Sequence, residues 1–348
     1  MSARLPELKI DSLLVSSPAN VRYLTGYAGS NGLLLLTKTG AHFFTDPRYA
    51  LSASAEITCA VHIEKKPLIG AAAAIIKRKR LKKIGFESSW VHYADYTKLK
   101  DDLPLGASLQ PIGAVIEEQR MIKSAAELAL IRRSVITNSE AYSKTIRRVR
   151  AGASEQDIAA ELDYQMRALG AEKAAFETIV AAGVRSALPH AHPTPHRLGE
   201  NELLLIDMGA SQEGYASDMT RVAHTGTPPK RILRLYKAVL EAQLAALSVI
   251  KAGVMTGEVD AAARGVLKRH ELDRAFVHST GHGLGLEIHE PPRIARKDKT
   301  KLQAGMAITI EPGAYIDGLG GIRIEDTVLV TERGCEVLTP TPKDLIEL

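Results

Sequence analysis

Asp207 and Asp218 lie within Leu203 to Val222, LLLIDMGASQEGYASDMTRV, where an apolar run, a Gly-containing turn and a second strand-like run follow one another. Leu203 to Ile206 has the continuous apolar character of a buried strand, so the chain carries an acid into its interior at Asp207. The turn Ser211-Gln212-Glu213-Gly214 sends the chain back, and Asp218 arrives on the returning strand. Residues facing one another across a hairpin stand about 5 Å apart, so the two carboxylates would share one space. Like charges held that close share either a proton or a cation. The competing reading is a surface hairpin with two exposed acids.

Acids further along the chain favour the cation. Glu311 ends the apolar strand Ala307-Ile308-Thr309-Ile310, and Glu325 falls between Gly321-Ile322-Arg323-Ile324 and Thr327-Val328-Leu329-Val330. Buried carboxylates without partners cost roughly several kcal/mol each, so four of them on β segments argue for shared cations. His282, in Gly281-His282-Gly283-Leu284-Gly285, is flanked by glycines that let the backbone come close while the imidazole stays uncrowded. Four carboxylates and one imidazole, with no thiolate, suit Mn²⁺, Co²⁺ or Fe²⁺ and, less specifically, Zn²⁺. Two such ions roughly 3.5 Å apart would hold a bridging water and lower its pKa, which is equipment for hydrolysis.

Other polar residues near these segments are open to two readings. His289 precedes Glu290-Pro291-Pro292-Arg293, His190 sits in Leu188-Pro189-His190-Ala191-His192-Pro193, and His278 comes just ahead of His282. Each is either a structural hydrogen-bonding histidine or a carrier of protons and substrate. His192 and His196 are assigned structural roles. Arg323, on the same strand face as Glu325, reads as a neutraliser of the acidic cluster.

The elements that must position these groups fall into two parts, 1–121 and 122–348. The first alternates strands and helices: a strand at Ser12 to Ser16, a hairpin from Gly32 to Thr45, a helix opened by Asp46-Pro47, and short strands at Thr58 to Ile63 and Ile84 to Glu87. This is an α/β unit with its own sheet. The break comes just before Ser124-Ala125-Ala126-Glu127, a capping-box signature that opens a long helix to about Val149. A second helix start at Ser154, with Asp157 following, leads to Leu169. A strand at Phe176 to Ala182, helices from Lys230 to Lys251 and Gly257 to Lys268, and strands at Phe276 to Ser279, Ala307 to Glu311 and Gly321 to Val330 complete the chain. The second part is therefore α+β, with helices flanking a largely antiparallel sheet.

Composition limits the function classes. The 348 residues, 45% hydrophobic and 24% charged, are ordinary for a globular protein with room for two cores. The longest apolar run, Leu68 to Ile76, contains Gly70 and is far too short to span a bilayer. The N-terminus lacks the apolar core of a signal peptide. Cys59 and Cys335 form no disulfide or metal framework, which fits a reducing compartment, so a cytoplasmic location is expected. The charge of +5 is concentrated in Lys77 to Lys83, KRKRLKK, at the end of a helical run. It reads as a solvated helix C-terminus without interleaved aromatics, so no nucleic-acid partner is expected.

Four segments carry a resemblance. IDMGASQEGYASDMTR, HSTGHGLGLEIHEPPR, ITIEPG and GIRIEDTVLV, in this order, closely resemble the metallopeptidases of the creatinase/methionine aminopeptidase-like superfamily, peptidase family M24. The N-terminal part with TDPRY resembles the leading domain of its proline-directed members, the aminopeptidase P and prolidase group. The resemblance implies a pita-bread catalytic domain preceded by a smaller creatinase-like α/β domain. It implies Asp207, Asp218, His282, Glu311 and Glu325 as ligands of two divalent metal ions per subunit, Mn²⁺ or Co²⁺ foremost. Catalytic roles are implied for Glu311, His289, His278 and His190, and substrate binding for His190, Arg293 and Arg323. Arg293 would hold the free carboxylate of a dipeptide, its other reading being a structural surface arginine.

The expected activity is removal of the N-terminal residue from Xaa-Pro peptides, as in aminopeptidase P. The alternatives are an Xaa-Pro dipeptidase (prolidase) and, in another class, a noncatalytic pita-bread binding module. Such binders typically lose metal ligands, and all five are present here. Relatives suggest a homodimer.

Overall fold

The computed structural model describes residues 1–348 and divides into two compact units, Met1–Arg120 and Met121–Leu348. In the first, strands β1 (Ser12–Val15), β2 (Leu33–Thr37), β3 (Gly40–Thr45), β4 (Ala60–Ile63), β5 (Lys83–Glu87) and β6 (Ser108–Ile112) form one sheet in the order β4-β3-β2-β1-β5-β6. Helices α1 (Pro18–Thr25), α2 (Ala50–Glu56), α3 (Leu68–Arg78), α4 (Tyr93–Asp102) and α5 (Val115–Arg120) alternate with them. The pairs β1–β5, β5–β6 and β3–β4 are parallel. Leu13, Val15, Leu34, Leu36 and Phe43 belong to one core, while Leu14, Leu33, Leu35, Phe44 and Ile84 belong to another. Successive strand residues point to opposite faces, so a sheet covered on both sides needs unbroken apolar runs such as Leu33 to Leu36.

The basic run behaves as expected of a helix end. Lys77 and Arg78 lie in the last turn of α3, and Lys77 through Arg80 are exposed, although Lys83 already belongs to β5. Val21 to Leu24, which precedes the expected turn, lies inside α1, capped by Ser17 and stopped by a left-handed Gly26. The segment after Asp46-Pro47 starts as a 3-10 turn, Pro47–Tyr49, before becoming α2.

The second unit opens with α6 (Ala125–Ile146) and α7 (Glu155–Ala168), both started by capping boxes. Glu127 N donates to Ser124 Oγ and Ser124 N to Glu127 Oε2; Asp157 N donates to Ser154 Oγ and Ser154 N to Asp157 Oδ2. There follow β7 (Lys173–Ala174), β8 (Ile179–Ala182), β9 (Leu203–Met208), β10 (Ala210–Gln212), β11 (Tyr215–Ala216), β12 (Met219–His224), α8 (Lys230–Val249) and α9 (Thr256–Arg269). The remainder is β13 (Gly281–Gly283), β14 (Glu290–Ile294), β15 (Ala307–Ile310), β16 (Gly313–Ile316), β17 (Gly320–Arg323), β18 (Asp326–Val330), β19 (Cys335–Val337) and β20 (Ile346–Glu347).

Two main sheets, β20-β12-β9-β8 and β14-β13-β15-β18-β19, carry the site. Leu203 and Leu205 of β9 share a core with α8, α9 and Ile308, Ile310, Ile322 and Val328 of the other strands. Leu204, Ile206 and Met208, on the opposite face, pack with α6 and α7. By the same alternation Asp207 follows Leu205 and faces the space shared with the second sheet.

The acidic hairpin differs from the simple expectation. Asp207 pairs across the ladder with Thr220, not Asp218, because β10 leaves the sheet at Gly209 to pair with β11 and β7. A Cβ at Gly209 would lie 2.1 Å from Ser217 O, so only glycine allows the two chains this close at the departure point. Asp218 occupies the gap between β11 and β12. The expected strand at Phe276 to Ser279 is absent and the strand comes later, at Gly281–Gly283, where His282 takes part in the ladder. Gly321 to Val330 is not one strand: it divides at Ile324-Glu325 into β17 and β18, which belong to different sheets. The strand read at Phe176 to Ala182 is confined to Ile179–Ala182.

Candidate metal centre

Three of the four acids occupy sheet breaks. Asp218 lies between β11 and β12, Glu311 between β15 and β16, and Glu325 between β17 and β18. A break frees a residue from strict strand alternation while its backbone stays held: Glu311 N donates to Thr280 O and Glu325 N to Thr220 O. Asp207 enters from β9, and His282 from the centre of β13. The glycines flanking His282 are sterically required, since a Cβ at Gly281 would lie 1.9 Å from Thr309 O and one at Gly283 2.2 Å from Pro291 O.

These elements bring the side chains to one cavity of about 810 Å³. Asp207, Asp218, His282, Glu311 and Glu325 line it together with His190, His278, His289, Arg293 and Arg323. Asp218, His282 and Glu325 each offer a ligand atom, all within 4.8 Å of one another. His282 Nε2 lies 3.6 Å from Asp218 Oδ2 and 3.4 Å from Glu311 Oε1. Its Nδ1 stands 3.0 Å from Gly283 O, which can only accept, so Nδ1 carries the proton and Nε2 presents a lone pair to the acids.

Burial dominates the electrostatics. It pushes the Asp218 and Glu325 carboxyls well above the usual range, with the neighbouring acids adding to the effect, and raises Glu311 to about 7. Burial likewise lowers His282. Arg323 stays charged despite burial, which opposes its charge, because Tyr315, Asp207, Glu311 and Glu325 surround it. Its Nη2 reaches Asp207 Oδ2 at 2.6 Å, its Nε donates to Thr220 Oγ1, and its Nη1 donates to Tyr315 Oη and Pro189 O. The geometry thus favours the neutralising reading of Arg323 over direct contact with substrate.

His278 is similarly engaged. Nδ1 donates to Ser279 O at 2.8 Å and Nε2 accepts from Tyr315 Oη at 2.8 Å, while burial lowers its pKa to about 4. Both ring nitrogens of the neutral imidazole are occupied, which supports a holding role rather than proton carriage. His289 stacks edge-on to His282, with ring centroids 4.4 Å apart, and is exposed to the cavity. His190 and Arg293 are exposed and line its wall. His192 pairs with Glu177.

Tyr315, Thr220 and Thr309 were not singled out from sequence. Thr220 Oγ1 donates to Glu325 Oε2 at 2.7 Å, and Thr309 Oγ1 accepts from His282 N and donates to Glu311 Oε1. The one available signal was their position opposite or next to an acid; nothing in residue type marked them.

The donor set fits divalent cations. Asp207 Oδ1 is buried without a hydrogen-bond partner, and one face of the cavity gathers carboxylates that repel in the absence of positive charge.

Acids and an imidazole gathered on one buried cavity are the equipment of a metal-dependent hydrolase. Residues 129–332 match the model of metallopeptidase family M24 and residues 1–122 that of the creatinase/prolidase N-terminal domain. The chain belongs to metallopeptidase family M24, which implies divalent metal ions at this site. It is 37% identical over 338 residues to the Xaa-Pro dipeptidase of Pyrococcus horikoshii, covering 97% of this chain and 95% of that one. Among solved structures it resembles an Xaa-Pro dipeptidase from Bacillus anthracis, with a TM-score of 0.96, 36% identity, and coverage of 99% and 97%. It also resembles an X-Pro aminopeptidase from Thermotoga maritima, with a TM-score of 0.92, 34% identity, and coverage of 99% and 100%. No helix is long and apolar enough to cross a membrane.

Proposed function

We propose that the protein hydrolyses the Xaa-Pro peptide bond and acts foremost on Xaa-Pro dipeptides. The observation that carries the reading is the convergence of four acids and His282 on one cavity that His190, His289 and Arg293 also line. The names of similar proteins shift the balance between substrates. The sequence motifs alone favour aminopeptidase P, whereas several relatives of nearly full coverage are named Xaa-Pro dipeptidases or prolidases. The aminopeptidase reading stays second, supported by the Thermotoga structure.

Asp207, Asp218, His282, Glu311 and Glu325 would hold two divalent ions, Mn²⁺ or Co²⁺ foremost. Bound there, the ions would acidify a water molecule and polarise the scissile carbonyl. Glu311 takes the proton of the attacking water and hands it to the prolyl nitrogen. His289, exposed in the cavity beside His282, donates to the oxygen on which charge develops. His190 orients the substrate from the opposite loop. Arg293 receives the free carboxylate of a dipeptide through its planar guanidinium. A tertiary Xaa-Pro amide brings no N–H, so the site needs no acceptor for one.

Comparing an Xaa-Pro dipeptide with an Xaa-Pro-Yaa tripeptide on the Mn²⁺- and Co²⁺-loaded enzyme tests the choice. The dipeptidase reading expects the dipeptide to be cut and the tripeptide left nearly intact. Efficient release of the first residue from the tripeptide would establish aminopeptidase activity instead. The cellular compartment we propose is the cytoplasm, and the assembly a homodimer, which sedimentation would test.

A further inference from the structure

A second cavity, of about 900 Å³, lies on the far side of the metal-bearing strands, between α6 and the C-terminal segment Pro340–Leu348. Its walls combine two kinds of chemistry. Ile136, Ile146, Pro340 and Ile346 supply apolar surface. Charges of both signs complete the lining: Glu140 on α6, Arg147 and Arg150 just beyond its last turn, and Asp344 and Glu347 on the opposing segment. A concave apolar surface edged by charges of both signs suits a small ligand that carries both charges itself.

Hydrogen bonds tie the elements that form the walls to the strands that carry the acids. On the cavity side, Arg221 donates from Nε to Pro342 O and from Nη2 to Thr341 O. Its Nη1 donates to Thr220 O and Glu325 O, the backbone of two residues at the acidic cluster. From α6, Asn138 Nδ2 donates to Met208 O and Ser134 Oγ to Ala210 O, on either side of the Gly209 departure that follows Asp207. Anything that shifts α6 against the C-terminal segment is therefore transmitted to the strands of Asp207 and Glu325 through hydrogen bonds already present.

We infer that this cavity is an effector site for short apolar zwitterions, small peptides or amino acids with an aliphatic or aromatic side chain. The ligand's carboxylate meets Arg147 and Arg150, its ammonium meets Glu140 or the acids of the C-terminal segment, and its side chain fills the apolar wall between them. The volume falls within the range of small-molecule sites. Occupancy changes turnover at the metal centre by differential binding to the arrangements of α6 and the Arg221 contacts.

The test uses the metal-loaded protein and leucyl-leucine, a zwitterion without proline, followed by calorimetric titration. Saturable binding is expected, and the Ser143→Trp variant, which fills the cavity from the outer face of α6, should abolish it while leaving Xaa-Pro hydrolysis in the absence of leucyl-leucine unchanged. Arg147→Glu should weaken binding at least about tenfold by reversing the charge at the carboxylate end. Saturating leucyl-leucine should alter kcat/KM by about fivefold or more in the parent and not in Ser143→Trp. Absence of binding up to millimolar concentration overturns the proposal. So does undiminished binding in Ser143→Trp, which puts the dipeptide elsewhere, or binding with no effect on turnover. Because titration reads binding without turnover, these failures are separable from failure of the Xaa-Pro reading itself.

Discussion

Asp207 is held on one oxygen by Arg323 and leaves the other, Oδ1, unpartnered inside the cavity, a division of labour suited to a ligand carboxylate that must be oriented yet available. Tyr315 joins this arrangement to His278, since its hydroxyl donates to His278 Nε2 and accepts from Arg323 Nη1. Removing that hydroxyl should loosen both. Tyr315→Phe is expected to reduce kcat about 10- to 100-fold with metal content retained, as measured by initial rates and metal analysis on the same sample. Glu311→Gln should go further and abolish turnover in metal-replete protein, because the amide cannot accept the water's proton; near-normal activity would end the assignment. At this scale the sequence was informative where chemistry forces residue type. His282 stood out because its flanking glycines are demanded by Thr309 O and Pro291 O, and the acids stood out against apolar strands. Tyr315 and Thr220 did not, because a tyrosine or threonine in a strand is ordinary and only the fold brings them to Arg323 and Glu325.

The helices and strands matter through their ends and breaks. Capping boxes at Ser124 and Ser154 were legible because the pattern is local, and each fixes where a helix begins. Ser154→Ala should cost about 1 kcal/mol in denaturant unfolding with little change in the activity of the folded enzyme. The start of α7 is also tied down by Glu155, wholly buried, which accepts from Ala182 N, Thr194 N and Oγ1, and Arg185 Nε. Burial raises its pKa, but these donors outweigh it and the net shift is downward. A depressed carboxylate contributes stability above its unfolded pKa near 4.5 that is lost as pH falls through the lower folded value. Glu155→Gln should therefore lower stability by about 3 kcal/mol at neutral pH and flatten the loss of stability below about pH 4.5, both read from unfolding midpoints across pH. The sheet breaks were not legible. Gly321 to Val330 reads as one strand because both halves are apolar and buried, and only long-range pairing, β17 with β16 and β18 with β15, decides that it divides at Glu325. The displacement of Asp218 from the position opposite Asp207 has the same origin, in the close approach of Gly209 to Ser217.

Across the whole molecule, an α/β part followed by an α+β part was legible in the change of pattern, and the match to a creatinase/prolidase N-terminal domain followed by a family M24 domain agrees with that order. The second unit buries several carboxylates side by side, so its stability is expected to depend on bound metal. In chelator-treated protein, carboxyls whose folded pKa is raised contribute stability that is present below the unfolded value and lost as pH rises through the folded one. For Glu311 that window runs from 4.5 to about 7, and Asp218 and Glu325 shift in the same direction. Metal-free protein should thus lose thermal stability as pH is raised from about 5 to 8, and divalent ions should restore it by binding the folded state alone. The most direct test of the central claim is the rate of Xaa-Pro dipeptide hydrolysis by one preparation before chelation, after exhaustive chelation, and after return of Mn²⁺ or Co²⁺. Loss of turnover on chelation, with recovery as about two ions per chain are taken up, is the predicted result. Undiminished hydrolysis by the metal-stripped protein would contradict it.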